Sequence, residues 1–528
     1  MRGTVGSDGI GIWRGIPYAA PPIGDLRWRP PLPRAPWKTV FNATSDGAGC
    51  PQLCALPAAT CPPKMSEDCL HLNVFSPGNR RGGNGLKNVM FFIHGGDFIQ
   101  GYGGGPLYDG TSFVRDHDVV VVSANYRLGA LGFMRTGDDD SKGQFAGNFG
   151  LLDQRLALEW ARANVARFGG NPQAVTLFGQ SAGGMSVASH LTMPASAHLF
   201  HRAIIQSDPL ALPFRTADEW PKFARVVARK AKCVHGLLDQ NYEACMRSLP
   251  WKDVVQAQHD AKHDLFVELG HLFDLFCPYS PAIGTDVLAT QPLQAIEAGK
   301  MQDKPIIIGT VAQEGLLFGW QAFHKPESSL VEDALLEAGF GVTKGPRILK
   351  QYPRSSAAKQ AHDMRNHTGL VATDGLFHCP ARHGALALAA QRASKERKSD
   401  TWHYHFGHVA SFSKQMWLPL FPECVDAVCH SEELPFLFLA NSSLAFINAS
   451  FTAPEEALAH TLQAYWGHFA NFGSPAEKDS EWPPFDETNE PMMHFTADPA
   501  SGVDHAAWRT KCSFWDDLGY TPPPTAQI

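Results

Sequence analysis

The run Gly179-Gln180-Ser181-Ala182-Gly183 sets a serine between small flanking residues, the pattern that lets a chain turn tightly enough to lift a hydroxyl out of a sheet as a nucleophile. With 48 glycines in 528 residues, average residue usage produces this pattern by chance roughly a few tenths of a time per chain. Context therefore decides its meaning. Val175-Thr176-Leu177-Phe178 before it reads as a buried strand, and Met185 to Leu191 after it reads as a helix, whose N-terminus favours negative charge developing beside the serine. An elbow of this kind also needs backbone N–H donors for an oxyanion. Val89 to Ile93 followed by His94-Gly95-Gly96-Asp97-Phe98 supplies a strand ending in a glycine-containing turn. The predicted chemistry is acyl transfer through the Ser181 hydroxyl.

Other elements must hold these two loops together. Short β-branched apolar runs at Val89–Ile93, Val119–Ser123, Val175–Phe178, Ile204–Ile205 and Ile306–Ile308 predict buried strands of a largely parallel sheet. Leu152, Leu156, Trp160 and Val165 recur at helical intervals before Gly169-Gly170, so a helix over 151–168 leads into the nucleophile strand as a βαβ unit. No period of 20–50 residues repeats, and Pro and Gly cluster only briefly, near 78–85 and 101–105. A single catalytic domain over 1–528 is expected.

A composition of 44% hydrophobic and 18% charged residues belongs to a chain that buries a large core, and the formal net charge of -7 offers no basic footprint for nucleic acid. No apolar stretch reaches the 18 residues of a membrane span. The eleven cysteines form no paired zinc-type CxxC spacing, and N-x-S/T sequons occur at Asn42, Asn366, Asn441 and Asn448. Both features point to an oxidising, secretory environment. The opening MRGTVGSDGIGIW has no apolar h-region, so a leader is not expected within it.

The chain resembles the cholinesterase and type-B carboxylesterase family over nearly its whole length. The resemblance is carried by Arg14-Gly15-Ile16-Pro17-Tyr18-Ala19-Ala20-Pro21-Pro22, Ser66-Glu67-Asp68-Cys69-Leu70-His71-Leu72-Asn73-Val74, Asn125-Tyr126-Arg127-Leu128-Gly129 and Gly150-Leu151-Leu152-Asp153-Gln154-Arg155. The run Gly101-Tyr102-Gly103-Gly104-Gly105 is most similar to secreted esterases of amoeboid and other lower eukaryotes. The resemblance implies an α/β-hydrolase fold, with a mostly parallel sheet flanked by helices and large insertions after the nucleophile strand.

It further implies a triad of Ser181, Glu314 and His430, and an oxyanion hole from the N–H groups of Gly96, Asp97 and Ala182, with no metal or organic cofactor. Each donor of that kind lowers a barrier by roughly 2.7–4 kcal/mol. The family pattern also implies disulfides Cys50–Cys69, Cys233–Cys245 and Cys379–Cys512 and structural ion pairs Arg27 with Glu67 and Arg127 with Asp153. Cys54–Cys61 and Cys424–Cys429 are further candidate pairs, leaving Cys277 outside them.

Three departures matter. Asp97 stands where the family has a third glycine, so a side chain should point toward the acyl pocket. An ionised carboxylate there repels the oxyanion, unless it is protonated, hydrogen-bonded away, turned into solvent or used as a second base for deacylation. A narrowed pocket with altered acyl preference is the expectation. Gln180 replaces the usual glutamate before the serine, removing an anion near His430 and predicting an acidic limb of the rate profile at lower pH than glutamate would give. Asp208 replaces a common glycine, and the sequence assigns it no role.

The Cys50–Cys69 loop carries no tryptophan to hold a quaternary ammonium, and Cys54 and Cys61 pinch it too short for a large lipase lid. Choline esters are thus poor candidates, and the expected substrate is a small-molecule or lipid ester. A lipase or sterol-ester hydrolase is the second reading. The rival from another class is a catalytically weak adhesion or binding protein, which the complete triad disfavours. Pocket walls are expected from residues 208–225, 270–290 and 315–325.

Overall fold

Two faces of one sheet are covered, and the strand sequences show it. In the run from Val89 to Ile93, Val89, Phe91 and Ile93 join one core cluster while Met90 and Phe92 join the other. The same alternation separates Val120 and Val122 from Val119 and Val121, and Ile306 and Ile308 from Ile307. A strand buried on both sides has no polar face, which is why these segments read as unbroken apolar runs.

The computed structural model describes the chain apart from residues 7, 58–59, 78–84, 135–146, 237–241, 270–276, 324, 439–443, 445–446 and 521–528. The strands are β1 (Thr4–Val5), β2 (Gly11–Pro17), β3 (His71–Ser76), β4 (Lys87–Ile93), β5 (Val120–Ala124), β6 (Gly170–Gln180), β7 (Arg202–Gln206), β8 (Arg215–Thr216), β9 (Ala282–Ile283), β10 (Ile306–Val311), β11 (Thr401–Phe406), β12 (Pro491–Phe495) and β13 (Gly502–His505). The 11-stranded sheet has the order β1-β2-β3-β5-β4-β6-β7-β10-β11-β12-β13. From β5 to β12 neighbours run parallel, whereas β1, β2, β3 and β13 pair antiparallel at the margins. Strands β8 and β9 make a separate two-stranded pair.

All five expected strands are present, and the helix expected over 151–168 is α-helical over Phe149–Asn164 with a 3-10 turn to Phe168. Strand β11, Thr-Trp-His-Tyr-His-Phe, was hidden by its histidines. His403 is 2% exposed, and burial drives its ring down to about 3, so it packs as a neutral aromatic against Phe485 and Trp508.

The ion pairs implied by the resemblance form: Arg127 grips the buried Asp153 through Nε and Nη2, each at 2.7 Å, and Arg27 does the same to Glu67 at 2.7 and 2.6 Å. Five disulfides, Cys50–Cys69, Cys54–Cys61, Cys233–Cys245, Cys379–Cys512 and Cys424–Cys429, take all the cysteines but Cys277. Among the described residues no helix is long and apolar enough to cross a membrane.

Candidate active site

Parallel register brings three loops together at the carboxyl ends of β6, β10 and β11. Gln180 pairs with Gln206 of β7 and Gly309 of β10 with the same Gln206, so the turn after β6 and the turn after β10 leave the sheet at nearly one level. Ser181 has φ 61° and ψ −127°, a conformation a non-glycine residue holds only where surrounding structure over-determines it. Close approach does that here. A Cβ on Gly183 would lie 2.1 Å from the Ile93 carbonyl oxygen, and one on Gly95 would lie 2.6 Å from that of Gln180. The helix Ala182–Thr192 then begins directly under the serine.

Glu314 opens the helix Glu314–Ala322 and is fully buried. One of its oxygens accepts the Val311 N–H at 2.8 Å, and the other meets His430 Nδ1. The two loops are zipped side by side. Gln313 N–H donates to the Val428 carbonyl at 3.0 Å, the Gln313 side-chain oxygen accepts the Val428 N–H at 2.8 Å, and the Cys424–Cys429 bridge ends next to His430. Phe318, one helical turn beyond Glu314, and Phe377 press edgewise on the imidazole at 4.9 and 5.5 Å. Phe377 lies in a π-helical turn, Thr373–His378, inserted between two α-helices.

His430 Nε2 faces the Gln180 side-chain amide at 3.2 Å. Ser181 and His430 line one cavity of about 970 Å³, but no hydrogen bond joins their side chains. Apo sites often show this looseness, which closes when substrate binds. Three residues past His430, Glu433 has no exposure; burial first and the Glu314 charge second push its carboxyl up to about 8.

The turn after β4 is held by His94, whose Nδ1 lies 2.8 Å from the Gly95 carbonyl and whose ring stacks on Tyr126 at 4.5 Å. Burial pushes the His94 ring down to about 4, leaving it neutral. Gly96 (φ 106°), Asp97 (φ 57°) and Phe98 (φ 55°) all turn left-handed, and Ile99 and Gln100 donate back to the Gly96 carbonyl at 3.0 Å. Asp97, Gly96 and Ser181 border the same cavity. The Asp97 carboxyl is raised by burial to about 7, held back by the charge of Lys262 and a hydrogen bond with Cys277.

Sequence reasoning placed the Ser181, Glu314 and His430 loops, and the structure brings them together; Gly96, Asp97 and Ala182 surround Ser181. The expected wall segments contribute Pro209 and Leu212, Cys277, and Leu317, Phe318 and Gln321. Phe377, Trp417, Phe421 and Glu433 were missed. None of these four carried a local signal, whereas Phe318, inside an expected wall segment, stands at i,i+4 from Glu314. Among the described residues no group of three or more His, Cys, Asp or Glu side chains could hold a metal ion.

The model of the carboxylesterase family matches residues 2–515. The chain belongs to the carboxylesterase family. As a member it is a hydrolase acting on carboxylic esters, with the α/β-hydrolase fold. It is 33% identical to the crystal protein of Dictyostelium discoideum over 527 residues, 98% of this chain and 90% of that one. It is 34% identical to the para-nitrobenzyl esterase of Bacillus subtilis (strain 168), over 93% of this esterase and 92% of that one. Among solved structures, a thermophilic PNB esterase superposes with a TM-score of 0.79 at 31% identity, covering 97% of this chain and 98% of the other.

Proposed function

We propose that this esterase works as one catalytic unit through a covalent acyl-enzyme on Ser181, with Glu314 and His430 completing the triad and the N–H groups of Gly96, Asp97 and Ala182 binding the oxyanion. The observation that carries this reading is the strained Ser181 at the end of β6, beside an imidazole whose Nδ1 is held by a buried carboxylate. His430 Nε2 takes the Ser181 proton as Oγ bonds to the ester carbonyl carbon, then passes it to the departing alcohol oxygen. Water repeats the sequence on the acyl-enzyme and releases the acid. Glu314 keeps the proton on Nδ1 in the resting ring and stabilises the imidazolium.

The walls of the larger cavity, including Leu107, Met416, Trp417, Phe421 and Leu444, suit an apolar small-molecule or lipid ester. The five disulfides support a secreted protein. Asn42, Asn366 and Asn448 are exposed, so each is open to glycosylation, while the Asn441 sequon lies outside the described residues.

A fluorophosphonate should label Ser181 stoichiometrically, and hydrolysis of a p-nitrophenyl ester should stop with Ser181→Ala. Glu314→Gln should lower kcat by about 10⁴ through the wrong tautomer. Labelling at another residue, or full turnover by Ser181→Ala, refutes the assignment.

A further inference from the structure

Two chambers meet at Ser181. The larger, about 970 Å³, contains His430; the smaller, about 410 Å³, does not, and Asp97, Ser181 and Phe318 border both. In the acyl-enzyme reading, on which this inference rests, His430 must hand its proton to the leaving alcohol. The alcohol arm therefore occupies the large chamber, and the acyl arm that stays on Ser181 occupies the small one.

The small chamber has walls such as Met185, Leu212, Phe318, Leu376 and Phe377, and among the described residues its polar side chains apart from Ser181 are Asp97 and Cys277. These two are paired. The half-buried Asp97 carboxyl hydrogen-bonds with the Cys277 thiol, and Lys262 adds a positive field. A left-handed residue with a Cβ, at φ 57°, carries this carboxyl to a place where glycine would cost nothing. One thiol is a weak donor, and a carboxylate has about four lone-pair directions, so the group can accept a further donor inside the chamber.

An arriving acyl group can supply such a donor. A second cation would oppose Lys262 and be desolvated by apolar walls. A hydroxyl suffers neither penalty: it donates to the carboxylate and accepts from the neutral acid. We propose that the small chamber is a subsite for short acyl groups bearing a hydroxyl, held by the Asp97–Cys277 pair, so that the preferred esters join a short hydroxy acid to a bulky apolar alcohol.

Two comparisons on the purified enzyme test this. First, kcat/KM for p-nitrophenyl 3-hydroxybutyrate should exceed that for p-nitrophenyl butyrate by about tenfold or more, the worth of one hydrogen bond to an ionisable group. The ratio should fall to about one in Asp97→Gly and be largely kept in Cys277→Ser. Second, of the isomeric esters octyl acetate and methyl nonanoate, the former should be cleaved at least about tenfold faster, a discrimination within reach of pocket size. A ratio near one in the wild type, a preference surviving Asp97→Gly, or faster cleavage of methyl nonanoate overturns the proposal. If p-nitrophenyl butyrate is hydrolysed and Ser181 is labelled, such a result sinks only the chamber assignment. If neither occurs, the acyl-enzyme reading falls and takes this inference with it.

Discussion

Asp97 should impose an alkaline limb on the pH profile. Burial raises its carboxyl to about 7, so it is neutral below that pH and ionised above it. The neutral acid leaves the oxyanion hole uncompromised, whereas the carboxylate sits near the negative charge that develops in acylation. At an effective dielectric of about 20 and a separation of about 5 Å, two like charges repel by about 3 kcal/mol. That is a slowing on the order of a hundredfold.

The sign follows directly: kcat/KM should fall as pH rises through about 7, and Asp97→Asn, which tolerates the left-handed backbone but carries no charge, should lose the limb. Lys262 holds the carboxyl down, so Lys262→Met should move the limb to higher pH. The assay is kcat/KM for p-nitrophenyl butyrate from pH 5 to 9, because this parameter reports ionisations of the free enzyme. A wild-type profile that stays level from pH 7 to 9 and matches Asp97→Asn would refute the reasoning.

Gln180→Glu should move the acidic limb upward by about one unit, since the new carboxylate would face His430 Nε2 from the 3.2 Å position of the present amide and favour the charged ring; an unmoved limb counts against it. Replacing Cys379 and Cys512 by Ser opens a bridge spanning 133 residues and should cost about 5 kcal/mol of stability in calorimetry, against about 2 kcal/mol for Cys424 and Cys429, which span 5. The second pair should nonetheless lose more activity, because it borders His430. Asp208 is 4% exposed, one of its oxygens lacks a partner, and burial raises it well above the usual carboxylate range. A raised carboxyl contributes stability at low pH that is lost as pH rises, so Asp208→Asn should raise Tm by about 1–3 °C at pH 8 and by nothing near pH 4; an equal gain at both pH values contradicts this.

Much of the catalytic frame is local information. Gly179 to Gly183 and His94 to Phe98 announce themselves because a strained turn tolerates few residue types, and the parallel strands do so because burial on both faces excludes polar residues. Glu314 and His430 became legible through resemblance alone, since a carboxylate and an imidazole 116 positions apart carry no shared local pattern. Their union depends on the Gln313–Val428 zipper and the Cys424–Cys429 bridge.

The sequence put the Asp97 side chain toward the acyl pocket, but its protonation was not readable. Its type and place in the turn after β4 were evident, yet its proton depends on the charge of Lys262 and on Cys277, which come from far along the chain, Cys277 as a wall of the same apolar chamber. Residue types and turn geometry are properties of the chain itself, so the sequence determined the fold and the strained turn at Ser181. Ionisation and pocket shape depend on dielectric and distance, and those exist only once distant segments have packed.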